Sequence, residues 1–185
     1  DCRFSRMDTH MGVSGSYVVR RCELGWMGLN AIGRGKLLVE DSTLHGNTLV
    51  SFRRDYGSTW EGELEIRNSR WIPSAGDTCT PHMINVSNDG THDFGYPCSM
   101  PRKVTIDGLF VDDSNTPDNY DGMYYFTDHD DVQDGVNEVT LSENRPFPYA
   151  PCEKIEVRGL ETASGKKPKT SPNTEVNASV LIEES

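Results

Sequence analysis

Tyr17-Val18-Val19-Arg20-Arg21-Cys22-Glu23-Leu24 and Leu37-Leu38-Val39-Glu40-Asp41-Ser42-Thr43-Leu44 share one pattern. In each, an apolar residue stands two before a β-branched one, a polar pair follows, and a second set of inward positions closes the unit. Three later segments repeat it: Leu64-Glu65-Ile66-Arg67-Asn68-Ser69-Arg70-Trp71, Val104-Thr105-Ile106-Asp107-Gly108-Leu109-Phe110-Val111 and Ile155-Glu156-Val157-Arg158-Gly159-Leu160-Glu161-Thr162. Asp1-Cys2-Arg3-Phe4 has the form of the tail of a sixth copy. Alternation of apolar and polar residues marks each copy as a strand with one buried face. The central pair (Arg20-Arg21, Glu40-Asp41, Arg67-Asn68, Asp107-Gly108, Arg158-Gly159) fits a tight turn between two short strands. Asn or Gly in its second place tolerates a positive φ.

From Val19 to Val39, Ile66, Ile106 and Val157 the spacing runs 20, 27, 40 and 51 residues. A unit of about 20 residues is the size of one solenoid turn, and longer spacings then mean loops inserted on one side of a constant coil. No copy can close a core alone, so stacking must bury the inward residues as columns, Val19 on Val39 on Ile66 on Ile106 on Val157. The reading is an all-β, right-handed parallel β-helix with long inserted loops. Residues 1–165 would be coils from the C-terminal part of a longer helix, and 166–185 a cap or tail. A final strand at Val180-Leu181-Ile182 would cover the open end, because an unpaired edge invites further pairing. A leucine-rich repeat would need an Asn-anchored Leu pattern, which is absent, and a β-sandwich would turn every 8–12 residues.

The net charge of -11 is localised: between Val104 and Asn144 stand eleven acids and no Lys or Arg. An acidic chain lacks the basic footprint that phosphate binding needs, which argues against nucleic acid as a partner. No run of about 18 apolar residues is present, so no membrane-spanning helix is expected. The five cysteines form no CxxC pair, against a structural zinc site. Cys2 and Cys22 occupy equivalent repeat positions and would stack as small core residues, and Cys79 with Cys98 is the one pair considered for a disulfide.

Between the repeated segments lies a second strand per coil, at Thr9 to Val13, Leu29 to Ile32, Leu49 to Arg53, Met83 to Val86 and Met123 to Phe126. Their outward residues would form a parallel polar ladder of His10, Asn30, Ser51 or Arg53, and Asn85, with Asp8 adding a carboxylate. Such a row, walled by long loops, suits an extended sugar chain. Arg53, Arg54, Asp55, Tyr56 and Trp60 form the densest chemical cluster. Arg binds carboxylates bidentately, and Tyr and Trp would stack on sugar rings. A second loop gathers Asp89, His92, Asp93 and Tyr96, enough for an acid/base pair. Asp8, Asp55 and Asp93 are the carboxylates a hydrolase would use. His10 or His92 is the base an eliminating enzyme would use, with Arg53 or Arg54 neutralising a uronate. No cofactor is required by either chemistry. Asp128, Asp130 and Asp131 make an oxygen-rich loop suited to Ca²⁺, out of order for an EF-hand.

Phe4-Ser5-Arg6-Met7-Asp8-Thr9-His10-Met11-Gly12-Val13, Leu29-Asn30-Ala31-Ile32-Gly33, Arg54-Asp55-Tyr56-Gly57-Ser58-Thr59-Trp60 and His92-Asp93-Phe94-Gly95-Tyr96, set in these coils, resemble bacterial right-handed parallel β-helix proteins of the pectate-lyase-like superfamily. The likeness runs over residues 1 to 165. It implies a secreted, polysaccharide-processing protein, either glycoside hydrolase or lyase, with phage tailspike depolymerases among its relatives. The alternative is a non-catalytic glycan-binding adhesin or tailspike-type structural β-helix. Partners would be a polysaccharide or oligosaccharide, and the N-terminal coils of a longer chain or of another subunit.

Overall fold

A computed structural model describes residues 1–8, 15–25, 29–52, 60–74, 81–86, 98–99, 101–126, 149–150, 152–169 and 181–185. Among these there is no helix, and the strands pair in parallel. With strands numbered in chain order, the larger sheet holds β1 (Cys2–Phe4), β3 (Ser16–Arg20), β4 (Cys22–Leu24), β6 (Gly33–Glu40), β7 (Thr43–His45), β9 (Trp60–Ile72), β12 (Pro101–Val111), β15 (Lys154–Thr162) and β16 (Leu181–Glu184). The smaller sheet holds β2 (Met7–Asp8), β5 (Leu29–Ala31), β8 (Thr48–Phe52), β10 (His82–Val86) and β13 (Tyr124–Phe126). A separate pair joins β11 (Cys98–Ser99) to β14 (Tyr149–Ala150). The chain therefore visits the two main sheets in turn.

The columns read from the repeat are the observed register. Val19 pairs with Val39, Val39 with Ile66, Ile66 with Ile106 and Ile106 with Val157. Two residues earlier runs Tyr17, Leu37, Leu64, Val104, Ile155 and Ile182. Register is pinned because a one-residue slip would turn every one of these side chains to solvent. Both main sheets line one apolar cluster, in which Leu37, Val39, Ile66, Trp71, Phe52, Met83 and Val111 are fully buried. Each such side chain contributes about 1.5–3 kcal/mol by leaving water.

The second residue of every central pair adopts a positive φ: Arg21 51°, Asp41 50°, Asn68 45°, Gly108 75° and Gly159 58°. Arg21 and Asp41 accept a cost of about 1–2 kcal/mol each in this region. The corner holds them there: Arg21 N–H donates to the Glu40 carbonyl at 3.1 Å and Asp41 N–H to the Arg67 carbonyl at 3.1 Å. The polar interruptions of the next inward position now have a reason. The Ser42 hydroxyl donates to the Glu40 carbonyl at 2.7 Å and accepts the Cys22 N–H at 3.1 Å, while Ser69 does the same for Arg67 at 2.8 Å and Ser42 at 3.2 Å. Cys2 does pair with Cys22, but Cys2 is exposed and Cys22 half-buried, so neither is sealed in the core as the repeat suggested. Cys152 is buried instead, and burial pushes its thiol up to about 11. Cys79 lies outside the described residues.

A column of glycines runs beside the apolar ones. Gly35 pairs with Gly62, and Lys36 N–H donates to the Gly15 carbonyl at 2.8 Å. A Cβ on Gly35 would lie 2.2 Å from the Gly15 carbonyl oxygen, and one on Gly62 2.0 Å from that of Gly35. Only a residue without a side chain allows the backbones so close.

The C-terminal residues extend both sheets. Lys169 bridges Tyr124 in parallel, and β16 pairs with β15, Ile182 beside Ile155. Part of the acidic window is structural, not a freely solvated insertion. Asp112 pairs with Arg70, and the buried Asp113 accepts from Tyr120 O–H at 3.0 Å and from the Ser164 N–H at 2.7 Å and its hydroxyl. This cluster staples the segment after β12 to the one after β15.

Candidate functional site

The outward faces of the two main sheets differ in chemistry. On the larger sheet, one outward column reads Arg20, Glu40, Arg67, Asp107 and Arg158, alternating in sign at every rung. Arg20 and Arg67 both hold Glu40, Lys36 and Arg67 both hold Glu65, and Glu156 lies 2.8 Å from Lys103 and 3.0 Å from Lys154. The Arg20 hydrogen bond holds the Glu40 carboxyl below the usual range. Burial alone would raise Glu65, but hydrogen bonds from Lys36 and Arg67 outweigh it and lower it. Lys103, then Lys154, hold Glu156 down at about 2. These charges are committed to one another, and the face is a register lock.

That lock has a pH signature. Glu156 ionises at about 2 in the folded chain against 4.5 ordinarily, so its contribution is complete above pH 4.5 and is lost as pH falls toward 2. Glu156→Gln is expected to flatten the fall of the unfolding midpoint between those limits, measured by thermal melts across pH. A wild-type slope in the variant would remove the ion pair from the account.

The smaller sheet carries the polar ladder. Asp8 pairs with Asn30, Asn30 with Ser51, and Ser51 with Asn85, one residue per rung on β2, β5, β8 and β10. Their strand neighbours Leu29, Ala31, Val50 and Phe52 are buried, while Asp8, Asn30 and Ser51 are half-buried on the opposite face. Rungs about 4.8 Å apart make a row about 14 Å long. Asp8 is ion-paired to Arg6 at 2.8 Å, with 18% of its side chain exposed.

The register fixes the rungs that the described residues supply. Asp8, two residues before His10, stands opposite Asn30, and Ser51 stands on the next rung. Among the described residues the first strand of this sheet is Met7–Asp8, and the expected Thr9 to Val13 lies outside them.

Trp60 is not a sugar platform. It is 1% exposed, opposite Gly33 at the start of β9, with its ring centroid 6.1 Å from that of Phe52 and its Nε1–H donating to the Gly35 carbonyl at 3.1 Å. A Trp whose one polar atom finds a backbone acceptor has every reason to be buried. His10, Arg53, Arg54, Asp55, Tyr56, His92, Asp93, Tyr96, Asp128, Asp130 and Asp131 lie outside the described residues.

Sequence reasoning missed a group at the far end of this sheet. His82 pairs with both Thr48 and Tyr124, and the His82 and Tyr124 rings stack with centroids 5.9 Å apart at 19°. Lys169 lies 5.0 Å over the Tyr124 ring and 2.6 Å from Asp121, and its hydrogen bond lowers the Asp121 carboxyl. The signal was available: His82 and Tyr124 open strands already expected on this face. Among the described residues, no three His, Cys, Asp or Glu gather to hold a metal ion.

No protein-family model, curated protein or solved structure matches this chain. The reading of the site therefore rests on its own residues.

Proposed function

We propose that the chain is a right-handed parallel β-helix, of the pectate-lyase-like kind that its residues resemble, which engages an extended extracellular polysaccharide along the outer face of the smaller sheet and processes it there by hydrolysis or elimination. The observation that carries this reading is the in-register row Asp8, Asn30, Ser51 and Asn85. A polymer with repeating hydroxyls is met by donors and acceptors that repeat along a flat surface. The neighbouring face supports the contrast, since its charges are spent on one another and offer a neutral chain little.

Cleavage needs an acid or base at the row, and Asp8 is the carboxylate present. Glycoside hydrolysis calls for two flanking carboxylates, and elimination for a base beside a neutralised uronate. Asp55, Asp93, His10 and His92 are the sequence candidates for the second group. A second reading, binding without cleavage, is favoured by the Arg6 ion pair that already engages Asp8.

The test incubates the protein with acidic and neutral polysaccharides, following reducing ends, the absorbance of unsaturated uronates, and binding by affinity electrophoresis. Processing predicts products from one glycan, a loss of about 100-fold or more in rate for Asp8→Asn, and retained binding. Ser51→Trp, which fills the row, is expected to remove both. Binding by the wild type with no product from any glycan selects the adhesin reading, and neither binding nor product sinks both.

A further inference from the structure

Cys22, Ser42 and Ser69 do one job at three successive rungs. The Ser42 hydroxyl donates to the Glu40 carbonyl at 2.7 Å and the Ser69 hydroxyl to the Arg67 carbonyl at 2.8 Å. The Cys22 thiol does the same for the Arg20 carbonyl at 3.3 Å. The γ atom of this column also reaches across to the neighbouring strand. Cys22 N–H donates to the Ser42 oxygen at 3.1 Å, and Ser42 N–H to the Ser69 oxygen at 3.2 Å.

One rung earlier stands a second cysteine. Cys2 is the register partner of Cys22, with Arg3 beside Glu23 and Phe4 beside Leu24. Its backbone N–H donates to the Arg21 carbonyl at 3.3 Å, and the γ atoms of both partners are sulfur. Both are free thiols in this structure. In-register neighbours on parallel strands lie about 4.8 Å apart, within the range of about 4.4–6.8 Å between Cα atoms that a disulfide spans. Paired residues of a ladder share a face, so the two Cβ atoms point the same way. A disulfide draws them to about 3.5–4.5 Å. β1 and β4 are three residues long, and so short a pair takes up that closure locally.

We propose that Cys2 and Cys22 are joined by a disulfide, formed as the chain folds in an oxidising compartment. The oxidant is a low-molecular-weight disulfide such as oxidised glutathione. The Cys2 thiolate attacks one of its sulfurs, expelling one glutathione thiolate and leaving a mixed disulfide. The Cys22 thiolate then attacks the Cys2 sulfur and expels the second. Two protein thiols lose two electrons, the small disulfide gains them, and the two thiol protons pass to the departing thiolates. Exchange precedes packing of the rung, so neither thiol has to be accessible afterwards. The bond closes a loop of about 20 residues and holds β1 on β4 whether or not the chain meets a glycan.

The full chain is reduced, unfolded and refolded in a mixture of reduced and oxidised glutathione, then alkylated, digested with trypsin and mapped by mass spectrometry. The expected product is Asp1–Arg3 joined to Cys22–Arg34, lighter by two hydrogen atoms than the two reduced peptides together. Melting of the wild type should fall by about 5–10 °C on adding a reductant. Cys2→Ser is expected to melt with the reduced wild type in either buffer. Serine already fills this column at Ser42 and Ser69, so the variant keeps a side chain that the position accepts. If it fails to fold, the wild-type peptide map decides alone. Cys2 recovered alkylated or still carrying glutathione, or Cys22 joined to Cys79, Cys98 or Cys152, overturns the proposal. A mapped Cys2–Cys22 bond whose reduction leaves melting unchanged overturns its role in holding β1.

Discussion

Gly35→Ala is expected to cost about 3–5 kcal/mol of unfolding free energy, among the largest losses a single methyl group can cause. The added Cβ would stand 2.2 Å from the Gly15 carbonyl oxygen and 3.0 Å from its carbonyl carbon and amide nitrogen, at a φ of +98 that L side chains rarely adopt. Relief would require β3 to lift from β6, which would unseat Val19 from Val39 and Tyr17 from Leu37. Gly165→Ala is the control: its φ is +74, but a Cβ there meets nothing within 4 Å. It is expected to cost only about 1 kcal/mol, the conformational penalty alone. Urea titrations of the three proteins measure the difference. Equal midpoints for the two variants would mean that the glycine column does not set the spacing of the paired strands.

Trp60→Ala separates two roles a tryptophan can have. As a sugar platform, its loss would weaken glycan binding and leave stability alone. As a core residue at 1% exposure, packed on Phe52 and bonded to the Gly35 carbonyl, its loss is expected to cost about 3–5 kcal/mol. A stable variant with weakened glycan binding would overturn the assignment. Trp60→Phe refines the test, keeping most of the volume and leaving the Gly35 carbonyl without its indole donor; a smaller loss of about 1–3 kcal/mol is expected.

Much of the larger sheet is legible in the sequence because β-branched residues recur at positions whose burial has period 2. Once Val19, Val39, Ile66, Ile106 and Val157 are aligned, every inward neighbour follows. The glycine column was legible by the same ruler, since Gly15, Gly35 and Gly62 keep the 20- and 27-residue spacings of Val19, Val39 and Ile66. Asp113 and Ser164 likewise stand 51 residues apart, the spacing of Ile106 and Val157, so the staple joins the segments that follow the paired β12 and β15. A lone Gly or Asp reads as a turn until the repeat is laid over it.

The smaller sheet is harder to read. Its strands are as short as Met7–Asp8 and Leu29–Ala31, and two or three residues hold no pattern that distinguishes one register from another two residues away. Trp60 misled for a different reason: beside Arg53, Arg54 and Tyr56 it has the company of a sugar platform, and only the facing Gly33 and Gly35 show that space was made for it inside.

The central proposal is that the outer face of the smaller sheet, and not that of the larger, meets the glycan. Backbone amide chemical shifts of the labelled chain, followed as an oligosaccharide from the polysaccharide panel is added, test it most directly. The account predicts saturable shifts at Asp8, Asn30, Ser51 and Asn85, with Glu40, Glu65 and Glu156 unmoved. Shifts centred on those three glutamates, with the row silent, would contradict it.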